Sequence, residues 1–234
     1  TLSTVYSFQG KCTHLILIGE DITEEKENAQ YVEFLATHDS LTGLANRVLL
    51  NDRLDQQILK AKRGSSSVFL MLLDVDRFKM INDSMGHDAG NRLLQLIANR
   101  LLSVVGDSDT VVRLGGDEFV LLLNEVDTLA DALSVADVVH RELSSPFTLN
   151  DRQFPVSVSI GISSYPEHGA SYVELMRHAD MAMYKAKEER CLTCVFEPSM
   201  DGLLLETVEL EAELRQAISK KELHVYYQPK VDAQ

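Results

Sequence analysis

The chain has 234 residues, 45% hydrophobic and 25% charged, which suits one domain of ordinary size with extra segments, or two small ones. Thirty-six acidic residues against 22 basic ones leave a formal charge of −14, a surface that repels polyanions and argues against nonspecific DNA or RNA binding. A small phosphorylated substrate would need a cation to bridge carboxylates and phosphates, and no apolar run approaches the roughly 20 residues of a membrane-spanning helix.

Residues 1–20 hold strand-like runs around Val5–Phe8 and His14–Ile18, separated by Gly10 and Lys11. Two strands bury no core alone, so this reads as the tail of a preceding domain. The start also lacks the basic-then-apolar order of a signal peptide. Residues 21–36 read as a helical linker in which Ile22, Ala29, Val32 and Ala36 fall at a and d positions, with Glu25 at another d. A short coiled coil that pairs two subunits fits this pattern, and a solvated linker is the alternative.

A compact domain begins near Thr37. Asp39–Gly43 reads as a capped turn, and Asn46–Lys62 as an amphipathic helix with Leu50, Leu54, Ile58 and Ala61 on one face. Val68–Leu73 is a continuous apolar run, as in a strand buried on both faces. A helix over about Asp88–Val105 turns Leu94, Ile97 and Leu101 inward, and Val111–Leu123 has two apolar arms around Gly115-Gly116, a hairpin signal. Another helix spans about Leu129–Glu142. Val156, Val158, Ile160 and Ile162 alternate with Ser157, Ser159 and Gly161, the period of a half-buried strand. A helix at Ser171–Glu188 and a strand at Thr193–Phe196 close the domain near Pro198. The order αβαα, β-hairpin, αβαβ predicts one sheet flanked by helices. Beyond it, Leu203–Lys220 is helical in pattern and Leu223–Tyr227 strand-like. The three cysteines are too few for a disulfide framework and fit a reducing, cytoplasmic compartment. Cys191 and Cys194 form a lone C-x-x-C; zinc and redox readings stand beside the simpler one, that both help a short strand pack.

Two features carry chemistry. The buried strand at 68–73 runs straight into Asp74-Val75-Asp76, where unpaired carboxylates at a sheet edge call for a cation. The glycine hairpin is followed at once by Asp117 and Glu118, and residues without a β-carbon let backbone and phosphate approach closely. If the hairpin lies beside the Asp74 strand, Asp74 and Asp117 converge, and hard oxygen ligands from two strands suit Mg²⁺ held against a nucleotide. Taken singly, acidic strand ends and a Gly-Gly-Asp turn are more often structural.

Arg113-Leu114-Gly115-Gly116-Asp117-Glu118-Phe119 resembles the signature of the GGDEF family of diguanylate cyclases. The same family's pattern is matched in order by Asp39–Arg47, Asp74–Asp83, Gly86-His87-Asp88, Ser159–Ile162 and Asp180–Lys187, so the resemblance covers about residues 37–198. It implies an α/β fold like nucleotide cyclases and the polymerase palm: a central mixed, largely antiparallel sheet flanked by helices. It also implies an enzyme that condenses two GTP into cyclic di-GMP and two pyrophosphates, using Mg²⁺ or, as the alternative, Mn²⁺. Asp74, Asp117 and the Val75 carbonyl would hold the metal. Glu118 would bind a second metal or help deprotonate the attacking 3′-hydroxyl. Phe78 and Lys79 would lie along the triphosphate through backbone N–H groups, with Gly115 and Gly116 beside it. Asn82 and Asn91 would contact guanine, and Lys187 the terminal phosphate. One domain holds one GTP, so catalysis implies a homodimer; neither nucleic acid nor a membrane segment is expected. By the same kind of resemblance, residues 1–20 look like the end of a PAS sensor domain. Residues 199–234 look like a linker helix and the start of an EAL phosphodiesterase domain.

Three positions depart from the family pattern. Asn91 stands where the second guanine contact is usually Asp, which removes a charge from a hydrogen bond. Cys191 stands where a phosphate-binding Arg belongs, and Arg190 precedes it by one residue, a turn of about 100° on a helix. The product-inhibition motif Arg-x-x-Asp reads Gly106-Asp107-Ser108-Asp109, so its Arg is missing. These departures support a rival reading, a GTP-binding regulatory module that controls a downstream EAL phosphodiesterase and catalyses little.

Overall fold

A computed structural model describes residues 2–6, 8–9, 12–17, 22–64, 66–106, 108–124, 126–150 and 152–201, and further on residues 213–214, 216–218, 220, 222 and 226. Strands β1 (Leu2–Tyr6) and β2 (Cys12–Leu17) form an antiparallel hairpin, beginning a few residues earlier than the sequence pattern suggested. Helix α1 (Thr23–Thr37) follows, and Tyr31, Val32, Phe34 and Leu35 are all exposed along it.

The domain proper is built on β3 (Val68–Val75), whose side chains alternate between two apolar layers. Phe69, Met71, Leu73 and Val75 face one core and Leu70 and Leu72 the other. Helix α2 (Arg47–Gly64) supplies Leu50, Leu54 and Ile58 to the second layer, its first turn held by Asn46 Oδ1, which accepts from the N–H groups of Val48 and Leu49 at 2.9 and 3.2 Å. After β3 come two short-linked helices, α3 (Phe78–Met85) and α4 (His87–Val104). Strands β4 (Thr110–Gly115) and β5 (Glu118–Leu123) then form the glycine hairpin, and α5 (Leu129–Ser144) packs with α4 over the first layer. A small hairpin of β6 (Phe147–Leu149) and β7 (Arg152–Phe154), absent from the sequence reading, leads to β8 (Val158–Tyr165). Its arms are three residues each, too short to show a period. Helix α6 (Tyr172–Glu189) and β9 (Thr193–Val195) complete the domain.

The sheet order is β4-β5-β3-β8-β9; every pair is antiparallel except β8 with β9. This is the mixed, largely antiparallel sheet with helices on both faces that the motif order implied. Each fully buried Leu or Ile in its two layers stabilises the fold by roughly 1.5–3 kcal/mol relative to exposure.

One strand differs from expectation. β8 is buried along its whole length, small residues included, rather than half-buried. The reason is α6, which lies directly on the face that carries Gly161 and Ser163. Ser163 Oγ donates to the Leu175 carbonyl at 2.8 Å. A β-carbon on Gly161 would sit 2.0 Å from the Ala179 carbonyl oxygen and 2.2 Å from the Met183 nitrogen. Small residues on that face therefore admit a helix instead of facing water. The helix pattern at 203–220 is met at residues 213–214 and 216–218, whereas most of that segment and of the strand-like run at 223–227 lies outside the described residues. Among the described residues, no helix is long and apolar enough to cross a membrane.

The β8–α6 contact generates the first test. Gly161→Ala should destabilise the domain by about 3 kcal/mol, because backbone atoms cannot yield as a side chain can. Urea denaturation followed by circular dichroism measures this, and an unchanged midpoint would contradict the packing described.

Candidate active site

The site gathers at one end of the sheet, where β3 ends between β5 and β8. The ladder places Asp74 opposite Glu118 on one side and Ser159 on the other. The turn between β4 and β5 curls over this end, and the Val75 N–H donates to the Asp117 carbonyl at 3.3 Å. That turn requires its glycines: Gly115 and Gly116 adopt φ of 141° and 56°, and the space where their β-carbons would stand is open. Asp74 on β3 and Glu118 on β5, 44 residues apart in sequence, thus lie side by side, with Asp117 next in the turn.

The turn is clamped from below. The Arg113 guanidinium reaches both oxygens of Asp39, at 2.9 and 3.0 Å, and also donates to the Gly116 carbonyl at 2.7 Å. Asp39 in turn accepts from the Thr42 hydroxyl and N–H at 2.6 and 3.0 Å. Burial pushes the Asp39 carboxyl upward, but the hydrogen bonds from Thr42 and Arg113 together outweigh it and hold the group below its ordinary value. The residues flanking the motif therefore brace its turn.

Charge is concentrated here. Lys187 Nζ lies 2.8 Å from Asp74 Oδ1. Burial raises the Asp74 carboxyl despite Lys187, and the neighbouring charges of Asp117 and Asp76 raise it further. Glu118 is raised by burial first and then by Asp180, Asp74 and Asp117. Asp180, to which the sequence reading gave no role, is also raised by burial. It precedes Lys187 by seven residues on α6, hence on the same helix face, and that spacing was the available signal. Asp76 is engaged differently: its carboxylate accepts from Ser157 Oγ at 2.6 Å and Ser159 Oγ at 2.8 Å, tying the strand end to β8.

Burial and neighbouring carboxylates raise Asp74 and Glu118, a strain that a divalent cation relieves, and with Asp117 they offer the hard oxygens that suit Mg²⁺ in donor chemistry. Their oxygens do not close to within 4.8 Å of one another; among the described residues only Glu189, Cys191 and Cys194 do.

The candidate guanine contacts lie on α3 and α4. Asn82 Oδ1 is buried with no hydrogen-bond partner, an acceptor with nothing to accept. It can sit there because Gly90 faces it; a β-carbon on Gly90 would come 1.9 Å from that oxygen. Phe78 is 8% exposed at the first turn of α3, whereas Lys79 and Asn91 are exposed. A cavity of about 960 Å³ opens beside these elements, lined by Asp74, Asp76, Lys187, Arg190 and Cys191 and by apolar residues such as Met80 and Phe154. It reaches Asp74 and Lys187 but not Asn82, Asn91 or Asp117. Arg190 ends α6 in a left-handed conformation (φ 56°) and lines the cavity beside Lys187 and Cys191.

This fold, with carboxylates at the end of its central strand and a Gly-Gly-Asp-Glu-Phe turn above them, defines a class, and the comparisons agree. The sequence profile described as "Diguanylate cyclase, GGDEF domain" matches residues 36–191, and the chain belongs to that family. It is 44% identical over 198 residues to the Pseudomonas aeruginosa "Bifunctional diguanylate cyclase/cyclic di-GMP phosphodiesterase MucR", covering 84% of this chain and 29% of that protein. It is 38% identical over 229 residues to the Escherichia coli "Cyclic di-GMP phosphodiesterase PdeR", covering 97% of this chain and 34% of that protein. The chain thus spans about a third or less of these relatives' length. The solved GGDEF domain of TpbB from Pseudomonas aeruginosa superposes with a TM-score of 0.69 at 39% identity, covering 72% of this chain and 99% of that one.

The clamp beneath the turn can be tested by pH. A carboxyl held below its ordinary value stabilises the fold above about pH 4, and that contribution is lost as pH falls through the folded-state value. Asp39→Asn should therefore cost about 2 kcal/mol at pH 7. The gap from the wild type should begin to narrow as pH falls below about 4 in paired denaturation curves, and a gap that stays constant down to the acid limit of folding would refute the ionic role.

Proposed function

We propose that the domain is a diguanylate cyclase that condenses two GTP into cyclic di-GMP with release of two pyrophosphates, acting as a homodimer. The observation that supports this most directly is the pairing of Asp74 with Glu118, next to Asp117, under an open glycine turn; a buried, unpartnered acceptor on Asn82 of α3 adds to it. Asp74, Asp117 and the Val75 carbonyl would hold Mg²⁺ or Mn²⁺, with Glu118 available to a second ion. Bound there, the metal would neutralise charge on the attacking and leaving oxygens of an in-line displacement.

The chain's own residues would do the rest. Asn82 Oδ1 would accept from the guanine edge and Asn91 would add a weaker, uncharged contact. Backbone N–H groups of Phe78 and Lys79 would follow the triphosphate. Lys187 would exchange Asp74 for the terminal phosphate, and Gly115 and Gly116 leave room for the sugar and α-phosphate. Where it holds no second ion, Glu118, with its raised proton affinity, would take the proton of a 3′-hydroxyl. Two such domains face to face supply the two substrates, and the exposed apolar residues of α1 suit a pairing helix. Flanking PAS-like and EAL-like segments would belong to a larger signalling protein.

A second reading has specific support. Asn91 and Cys191 weaken two substrate contacts, and one relative, at 38% identity, is named as a phosphodiesterase. On that reading the domain binds GTP and regulates without turnover. Pyrophosphate and cyclic di-GMP release from GTP and Mg²⁺ separates the two. A cyclase gives product that rises faster than linearly with protein and is abolished in Asp117→Ala. Clear GTP binding with no product at any protein concentration favours the regulator.

Feedback provides a further check. Gly106 replaces the Arg of the inhibition motif, and the Asp109 carboxylate already accepts from the N–H groups of Gly106 and Asn124, at 3.0 and 2.8 Å. Saturating cyclic di-GMP should leave the initial rate nearly unchanged; strong noncompetitive inhibition would show that a product site persists.

A further inference from the structure

The Cys191/Cys194 pair lies where α6 gives way to β9, outside the carboxylate site. Cys191 Sγ and Cys194 Sγ are 2.8 Å apart, and the sulfurs and a Glu189 carboxylate oxygen all lie within 4.8 Å of one another. Packing accounts for part of this: Cys194 lies against the small cluster of Met181, Ala182, Phe196 and Met200. It does not account for two sulfurs turned towards each other with a carboxylate beside them.

From this geometry we infer that Glu189, Cys191 and Cys194 form a site for a thiophilic divalent cation, Zn²⁺ foremost, at the rim of the cavity that Asp74 and Lys187 line. Zn–S bonds of about 2.3 Å set two sulfurs on a tetrahedron at about 3.7 Å, so the pair needs only to part slightly. Soft thiolates select zinc over magnesium, which distinguishes this site from the oxygen ligands at Asp74 and Asp117. Three protein ligands leave the fourth vertex to water. Glu189 is free enough to turn, its one ion pair being a 3.9 Å contact with Lys185 on the surface. Cys191 lines the same cavity as Asp74, Lys187 and Arg190, so a bound ion would sit at that cavity's rim.

The test uses the purified chain, reduced with a phosphine and stripped of metal, titrated with Zn²⁺ against a colorimetric chelator. One zinc ion per chain is expected. It should be lost in Cys191→Ser and Cys194→Ser and weakened less in Glu189→Gln, with circular dichroism confirming that the variants fold. On the unmutated chain, Zn²⁺ should slow alkylation of Cys191 and Cys194 relative to Cys12, read by peptide mass spectrometry, and Co²⁺ should give a thiolate charge-transfer band. Zinc retained equally by a variant with both cysteines changed to serine, or no protection from alkylation, overturns the site. So does a pair that isolates as a disulfide and binds no zinc after reduction, which would point to redox chemistry instead. None of these outcomes depends on cyclase turnover.

Discussion

Everything at the site follows from one constraint: β3 is buried on both faces along its apolar length and ends in a carboxylate. A strand with antiparallel neighbours on both sides has no freedom of register, because a one-residue slip would exchange its two apolar layers. Asp74 is therefore held opposite Glu118 and Ser159 whatever the local charge prefers. The resulting repulsion is relieved by Lys187 and, on the proposed function, by a metal ion.

Two braces keep the end of the strand in place. On the β8 side, Asp76 accepts from Ser157 and Ser159, so the second carboxylate of the Asp-Val-Asp run is structural. On the β5 side, Arg113 joins Asp39 to the Gly116 carbonyl, so the domain's entry turn supports the glycine turn that would face substrate. A turn built from two positive-φ glycines is open to ligand but lacks side-chain packing of its own, and Arg113 supplies the missing support.

Helix α6 links the fold to both chemistries. Its Gly161 contact brings it close enough to β8 for Lys187 to reach Asp74, and its end delivers Cys191 to the rim of the same cavity. Where the family pattern has an Arg, this chain places a sulfur that faces another sulfur.

The sequence by itself determined the order of the principal strands and helices, the buried central strand and the glycine hairpin, because each is a local pattern or a motif of fixed spacing; the pairing of β3 with β5 that brings Asp74 to the hairpin is tertiary. Only the tertiary structure decided the roles of Arg113, Asp39, Asp76 and Asp180, since their partners lie on other elements or two helical turns away. It likewise decided that β8 is covered on both faces, because the period of two in Val158–Ile162 records which residues are small and cannot say whether water or a helix meets them. The orphaned oxygen of Asn82 belongs to the same class: an unmet acceptor is a property of the space around a side chain, and that space exists only once α3 and α4 have packed.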